Sequence, residues 1–174
     1  MEIDTASRLV DEAAKRSGLV WVRPAAEPPS GFAQPMWHVW QDGFAYVLTG
    51  GIEQPAPAGV EPGRQAEVIV RSKDKGSRLV SWLADVVLVE PGSHEWAAVV
   101  PTLQSKRLNS PDGDRAPDRW ARECRLLRLT PTGVVIETPD QPSGSSQAAP
   151  PVPTAATTPV PRPWHLFGRS RRRR

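Results

Sequence analysis

The run from Arg78 to Glu90 sets the tightest limit on the fold. Leu79, Leu83, Val87 and Val89 alternate there with Val80, Trp82, Ala84, Val86 and Leu88. Side chains alternate across a strand, so both faces of this one are largely apolar and both must be covered. A barrel wall that also carries a packing surface outside meets that demand. Asp85, in the middle, needs a polar partner or an edge position.

Other β-prone runs surround it. Leu19-Val20-Trp21-Val22 reads as a strand stopped by Pro24 and by the loop through Pro28-Pro29-Ser30-Gly31. Met36-Trp37-His38-Val39-Trp40 and Phe44-Ala45-Tyr46-Val47-Leu48 flank Asp42-Gly43, a dipeptide suited to the positive φ angles of a tight hairpin. Trp37 and Trp40 then face opposite ways, one to the core and one to an interface or ligand. His38 shares a face with Met36 and Trp40 and is expected to be a hydrogen-bonded structural residue. From Thr49 to Arg64, prolines and glycines deny any regular element and predict a long exposed loop. Ala66 to Arg71 is a strand before the turn Ser72-Lys73-Asp74-Lys75-Gly76. Cys124 to Leu129 and Val134 to Ile136 are read as the last two strands, joined by a turn at Thr130-Pro131-Thr132-Gly133. Cys124 itself is expected to be an inert small hydrophobe.

Helices are few. Residues 1–17 form one, with Leu9, Val10, Ala13 and Ala14 at helical spacing, and it is expected to serve as a lid or interface rather than as core. A second starts at a Ser93 cap and carries the stripe Trp96, Val99, Val100 and Leu103, with a kink or break expected at Pro101. Pro117 suits the first turn of a short third helix that carries Trp120. Seven β-runs mostly in hairpin order, with peripheral helices, predict an α+β fold: a small antiparallel split β-barrel over residues 1–138.

The charge of +3 at pH 7 is misleading. Residues 139–174 hold six arginines, eight prolines and one acid, which leaves 16 basic and 18 acidic residues in the body. The body is mildly acidic, which argues against a basic nucleic-acid-binding domain. The tail is predicted to be disordered, because it has too little bulky apolar surface to offset the entropy of ordering. Its end, Pro163-Trp164-His165-Leu166-Phe167 followed by arginines, could dock on nucleic acid or an anionic membrane, or could be no more than a solvated basic end. No run approaches a membrane span, and Met1-Glu2-Ile3-Asp4 lacks the start of a signal peptide, so a cytoplasmic location is expected. One cysteine and three scattered histidines argue against a zinc site or a redox disulfide.

With these elements in place, several motifs resemble the pyridoxamine 5′-phosphate oxidase-like split-barrel family, in its actinobacterial form. They are Pro35 to Gly43 followed by Phe44 to Thr49, then Val68-Ile69-Val70-Arg71-Ser72-Lys73, and Trp82-Leu83-Ala84-Asp85-Val86 in the long strand. The segment Trp96 to Asn109 is similar to the helix that follows that strand in the family. The likeness runs from about Ser17 to Gly133. It implies a homodimer with a flavin in a groove between protomers: FMN, or the deazaflavin coenzyme F-420. It also implies an oxidoreductase acting on a small molecule. Such a site needs cations and backbone donors for a phosphate and an apolar slot for the ring. By position the resemblance points to Arg71, Ser72 and Lys73, with Lys75 as an auxiliary charge, and to Thr49 and Gly50 at the hairpin end. The cofactor carries the redox chemistry, so no catalytic triad is required.

One departure stands out. Where the family usually places a lysine or arginine after the Thr49 strand, this chain has Gly51-Ile52-Glu53-Gln54-Pro55, and Glu53 would repel a phosphate. Either another cation such as Arg64 serves, or the loop is remodelled for a different ligand, or the site is empty. Two other readings remain. Arg71 to Lys73 could be a solvated charged hairpin tip. The barrel could also be a cofactor-free binding or scaffold module, its groove closed around Trp37, Trp40 and Trp82.

Overall fold

In the computed structural model, an antiparallel sheet of seven strands curls around the long apolar run. The structure describes residues 2–26, 32–74, 76–108 and 110–142. Lys75, Asn109, the loop at Pro28-Pro29-Ser30-Gly31 and residues 143–174 lie outside it, and with them the readings of the tail. The elements are α1 (Glu2–Arg16), β1 (Leu19–Pro24), β2 (Gln34–Trp37), β3 (Val39–Gln41), β4 (Phe44–Gly50), β5 (Gln65–Arg71), β6 (Arg78–Val89), α2 (His94–Lys106), α3 (Ala116–Glu123) and β7 (Cys124–Glu137). The strand order is β2-β1-β5-β6-β7-β4-β3, with every pairing antiparallel. This is an α+β split barrel: a curled sheet whose edges are β2 and β3. Among the described residues, no helix is long and apolar enough to cross a membrane.

The inner face of β6 is buried as its pattern requires, but the outer face is only half covered: Leu83 and Val87 are half-buried and outside the core. Val80, Trp82, Ala84 and Val86 point inward with Val20, Val22, Val68, Val47, Leu127 and Leu129. At the C-terminal end, Val89 turns outward with Tyr46, Leu48 and Leu126, under Trp96, Val99, Val100 and Leu103 of α2 and Trp120 of α3. Trp82 and Trp120 are fully buried. Each contributes roughly 4–6 kcal/mol at about 25 cal/mol per Å² of apolar area removed from water. Asp85 stays exposed and accepts a hydrogen bond from Gln65 Nε2 at 3.0 Å.

Four expectations need correction. The run Met36 to Trp40 is two strands, not one: β2 pairs with β1 and β3 with β4, and the chain changes partner at His38. The side chain of Gln54 fills the resulting gap. Its Oε1 accepts from the Trp37 amide at 2.7 Å and its Nε2 donates to the Trp37 carbonyl at 2.8 Å, as a neighbouring strand would. Conversely, Cys124 to Glu137 is one continuous strand, because Pro131 to Gly133 makes a bulge rather than a turn. Trp82 faces Val135 and Ala84 faces Pro131, so residues 132–134 loop out opposite Leu83, with Gly133 at φ 88°. Thr132 Oγ1 donates to the Leu83 carbonyl at 3.1 Å and fixes the bulge, a position where a proline's missing N–H costs nothing.

Helix α1 is also more than a lid. Val10 and Ala14 are buried in the inner core, so the helix plugs one mouth of the barrel. Helix α2 runs through Pro101 as one element. Pro101 and Ala97 are both exposed residues, on the solvent side of the helix where a lost backbone hydrogen bond costs least. Ser93 caps this helix as read, accepting from the Trp96 amide at 3.1 Å.

Candidate functional site

The loop after β4 is held down by one carboxylate. Glu53 Oε1 accepts from Arg119 Nη2 at 2.9 Å and from Trp120 Nε1 at 3.0 Å, while its Oε2 accepts from Arg107 Nε at 2.8 Å. Arg119 also binds Asp112. Two arginines and two carboxylates thus balance where α2, α3 and the loop converge. Burial works against the charge on Glu53, but the hydrogen bonds from Arg119 and Trp120 and the Arg107 charge outweigh it and keep its pKa below the usual carboxylate value. Glu53 is therefore an anchor of the loop, not a stray negative charge. Pro57 and Val60 further along are buried, so the loop is less exposed than its composition predicts.

The residues at the hairpin end have their polar groups committed within the chain. Thr49 is buried and donates to the Arg125 carbonyl at 3.3 Å. The Gly50 amide donates to the Gln54 carbonyl at 3.0 Å. Gly50 has φ 94°, and a Cβ there would lie 3.2 Å from the Glu123 carbonyl oxygen, so both conformation and contact require glycine. Cys124 pairs with it across β7 and directs its Sγ to the Gly50 carbonyl at 3.5 Å. Burial, then the Glu53 charge, push the thiol pKa up, which makes this an unreactive cysteine.

Arg71 closes β5, facing Arg78 at the start of β6. Its guanidinium lies 4.5 Å from the ring centroid of Trp21, and its Nε is buried with no hydrogen-bond partner among the described residues. The Ser72 amide donates to the Ser77 carbonyl at 2.8 Å, which shapes the turn, and Lys73 is exposed on it. The fold therefore brings Arg71, Ser72 and Lys73 together and keeps them from Thr49 and Gly50. Arg71 sits level with one end of β6 and Gly50 lies beyond the other. These ends are separated by about 36 Å of strand at 3.3 Å per residue. Arg64, the other candidate cation, is exposed at the loop's exit, where its carbonyl accepts from the Val86 amide at 2.9 Å.

His38 is buried beneath α1, with Nε2 3.2 Å from the Ala14 carbonyl. Burial lowers its pKa to about 4, so the ring is neutral and Nε2 is the donor. This is the structural role expected of it. Trp40 and Trp82 meet edge to face at 6.2 Å, and Trp40 Nε1 donates to Asp11 Oδ1 at 2.8 Å. Beside them, between α1, the Asp42–Gly43 turn and the β7 bulge, lies a half-open groove of about 280 Å³. Trp37 is not part of it; it lines a separate cavity of about 90 Å³ with Leu48 and Arg107.

No family model matches the sequence, and no curated protein matches it either. Solved structures do. The haem storage protein HutZ of Vibrio cholerae superposes with a TM-score of 0.53 at 16% identity, over 75% of this chain and 93% of that one. The fold is a split barrel. The flavocytochrome Anf3 of Azotobacter vinelandii gives 0.43 at 15% identity, over 91% of this chain and 87% of that one. An FAD and haem binding protein of Mycobacterium smegmatis gives 0.44 at 12% identity, over 89% and 91% of the two chains.

Sequence reasoning missed the roles of Arg107, Arg119 and Gln54. All three act on partners distant in the chain, and Glu53 was the one visible sign, as a charge out of place.

Proposed function

We propose that this split barrel binds a phosphate-bearing flavin, FMN or the deazaflavin coenzyme F-420, and acts as an oxidoreductase on a small molecule. The observation that carries the reading is Arg71. It is a cation with no carboxylate partner among the described residues, stacked on Trp21 beside the turn that carries Ser72 and Lys73. An unneutralised guanidinium next to an aromatic face suits a phosphate attached to a planar ring system. The flavin, when bound, supplies the electron transfer; Arg71 and Lys73 hold the anion and Trp21 offers an apolar platform. Thr49 and Gly50 belong to the same site only in a homodimer, with one protomer contributing the Arg71 turn and its partner the hairpin end. Glu53 does not oppose this reading, since its charge is matched by Arg107 and Arg119.

Haem is the second reading, because HutZ stores it. It is less well supported here. The buried imidazole, His38, has Nε2 engaged at Ala14, and His94 is an exposed residue at the start of α2.

The test is a set of absorption spectra and melting curves with FMN, coenzyme F-420 and haem. Ligand at 100 times its dissociation constant adds about 2.7 kcal/mol of stability. FMN or F-420 is expected to stabilise the protein, and Arg71→Met to weaken that effect at least tenfold. Stabilisation by haem alone, or by none of the three, overturns the proposal.

A further inference from the structure

We propose that the aromatic segment Pro163 to Phe167 folds back onto the barrel of its own chain and docks on the outer face of β6 and β7. Helices α2 and α3 cover that face only as far as Val89. Beyond it, Leu83 and Val87 of β6 are half-buried and stand outside the core. On β7, Val134 and Ile136 flank Val135, which packs against the inner core, and are themselves 51% and 44% exposed. Side chains alternate along a strand, so these two turn outward beside Leu83, opposite which residues 132–134 loop out. Adjoining exposed apolar side chains of this kind mark a contact surface.

The course of the chain names the occupant. β7 ends at Glu137, opposite Ser81 and two positions before Leu83. Thr138 and Gln141 then exchange backbone hydrogen bonds at 3.4 and 3.1 Å, closing a turn that reverses the chain at the edge of this face. Residues 142–163, 22 in all, separate that turn from Trp164. A linker of that length reaches about 25 Å on average, and Val87, at the far end of the face, lies about 20 Å along β6 from Ser81. The match holds the segment near the face at an effective concentration on the order of millimolar, which favours its own barrel over a separate partner.

The chemistry of the two surfaces agrees. Trp164, Leu166 and Phe167 are the bulky apolar cluster of residues 143–174. Residues 139–174 carry six arginines and one acid, whereas the body holds 16 basic and 18 acidic residues, so the two attract. Asp85 lies between Leu83 and Val87 on the same face, exposed, and its partner among the described residues is the neutral amide of Gln65. Five arginines follow Phe167 within seven residues, close enough to meet Asp85 and the exposed Glu90 once the rings are seated. Arg71 and Trp21 play no part, so the inference does not rest on the flavin reading.

The experiment is paramagnetic broadening in the full chain. A nitroxide is attached at Ser170→Cys in a Cys124→Ser background, where serine keeps the hydrogen bond to the Gly50 carbonyl. The methyl resonances of Leu83, Val87, Val134 and Ile136 are expected to lose more intensity than any others of the barrel. Two changes should each reduce the broadening at Val134 and Ile136 at least fivefold: Leu83→Asp on the face, and Trp164→Ser with Phe167→Ser, which leaves the barrel untouched. Isotope-labelled protein without a nitroxide, mixed with unlabelled protein that carries it, should keep the four methyls sharp. The proposal is overturned if broadening is absent or uniform, or if the Trp164 and Phe167 variant retains it. Equal broadening in the mixed sample overturns it by seating the segment on a second copy. Methyl shifts that follow protein concentration but ignore the segment overturn it by giving the face to a second barrel.

Discussion

The Glu53 carboxylate lies 2.9 Å from the Arg119 guanidinium, and both side chains are largely buried, at 5% and 10% exposure. An ion pair so placed gains little by being formed, but leaves an uncompensated charge when one partner is removed. Glu53→Ala would leave Arg119 with Asp112 as its remaining carboxylate, strand the Trp120 N–H and release Arg107. A loss of about 1–3 kcal/mol, mainly from the unpaired Trp120 N–H, is expected in urea unfolding at pH 7. Glu53→Gln keeps an acceptor for one donor and should lose less. A change below about 0.5 kcal/mol for Glu53→Ala would mean that the loop is anchored by Pro57 and Val60 instead.

His38 makes folding pH-dependent. Its pKa falls from 6.5 to about 4 on burial, so the unfolded chain takes up a proton that the native state refuses. Stability from this residue is complete above pH 6.5, erodes as pH falls toward 4, and is level below that. The total loss is about 3 kcal/mol at 1.36 kcal/mol per pKa unit. Urea unfolding of the native protein and of His38→Asn between pH 7 and 4 should show that slope in the first and its loss in the second. Parallel pH profiles would place the acid sensitivity in the carboxylates.

What could be read from the sequence follows the range of the interactions involved. The apolar run of β6, the Asp42–Gly43 hairpin and the Ser93-capped stripe of α2 are local periodicities, and each element formed where expected, although the outer face of β6 is left half open at Leu83 and Val87. The strand break at His38 was hidden because the group that replaces the missing partner is the side chain of Gln54, 17 residues from Trp37. The β7 bulge was read as a turn because proline followed by glycine serves both, and only the pairing of Trp82 with Val135 distinguishes them. Glu53 was visible as an anomaly, but its partners Arg107 and Arg119 lie 54 and 66 positions away. Arg71, Ser72 and Lys73 were legible as a cluster because they are consecutive. Their separation from Thr49 and Gly50 depends on sheet order, which local pattern does not contain.

Gln54 offers a test of the strand break. Its amide makes two hydrogen bonds to the Trp37 backbone, at 2.7 and 2.8 Å. Gln54→Ala leaves a part-buried N–H and C=O without partners, at a cost of about 1–3 kcal/mol each before water enters. Hydrogen exchange should report it locally. The Trp37 amide is expected to lose protection by at least tenfold, while the Val47 and Val86 amides keep theirs. Unchanged protection at Trp37 would show that another group satisfies β2.

Arg23 and Glu67 face each other across β1 and β5 and form an ion pair at 2.6 Å, with side chains 8% and 7% exposed. Glu67 Oε1 has no partner among the described residues, so the pair is incompletely solvated by its surroundings. Arg23→Met should therefore cost about 3–5 kcal/mol, because it leaves a buried carboxylate with nothing to balance it. The double variant Arg23→Met, Glu67→Leu removes both charges at once and fills the space with apolar atoms. It is expected to fall within about 1 kcal/mol of the native protein, or above it. Urea midpoints of the two single variants and the double variant close the cycle, and additive losses would show that the two residues do not act as a pair.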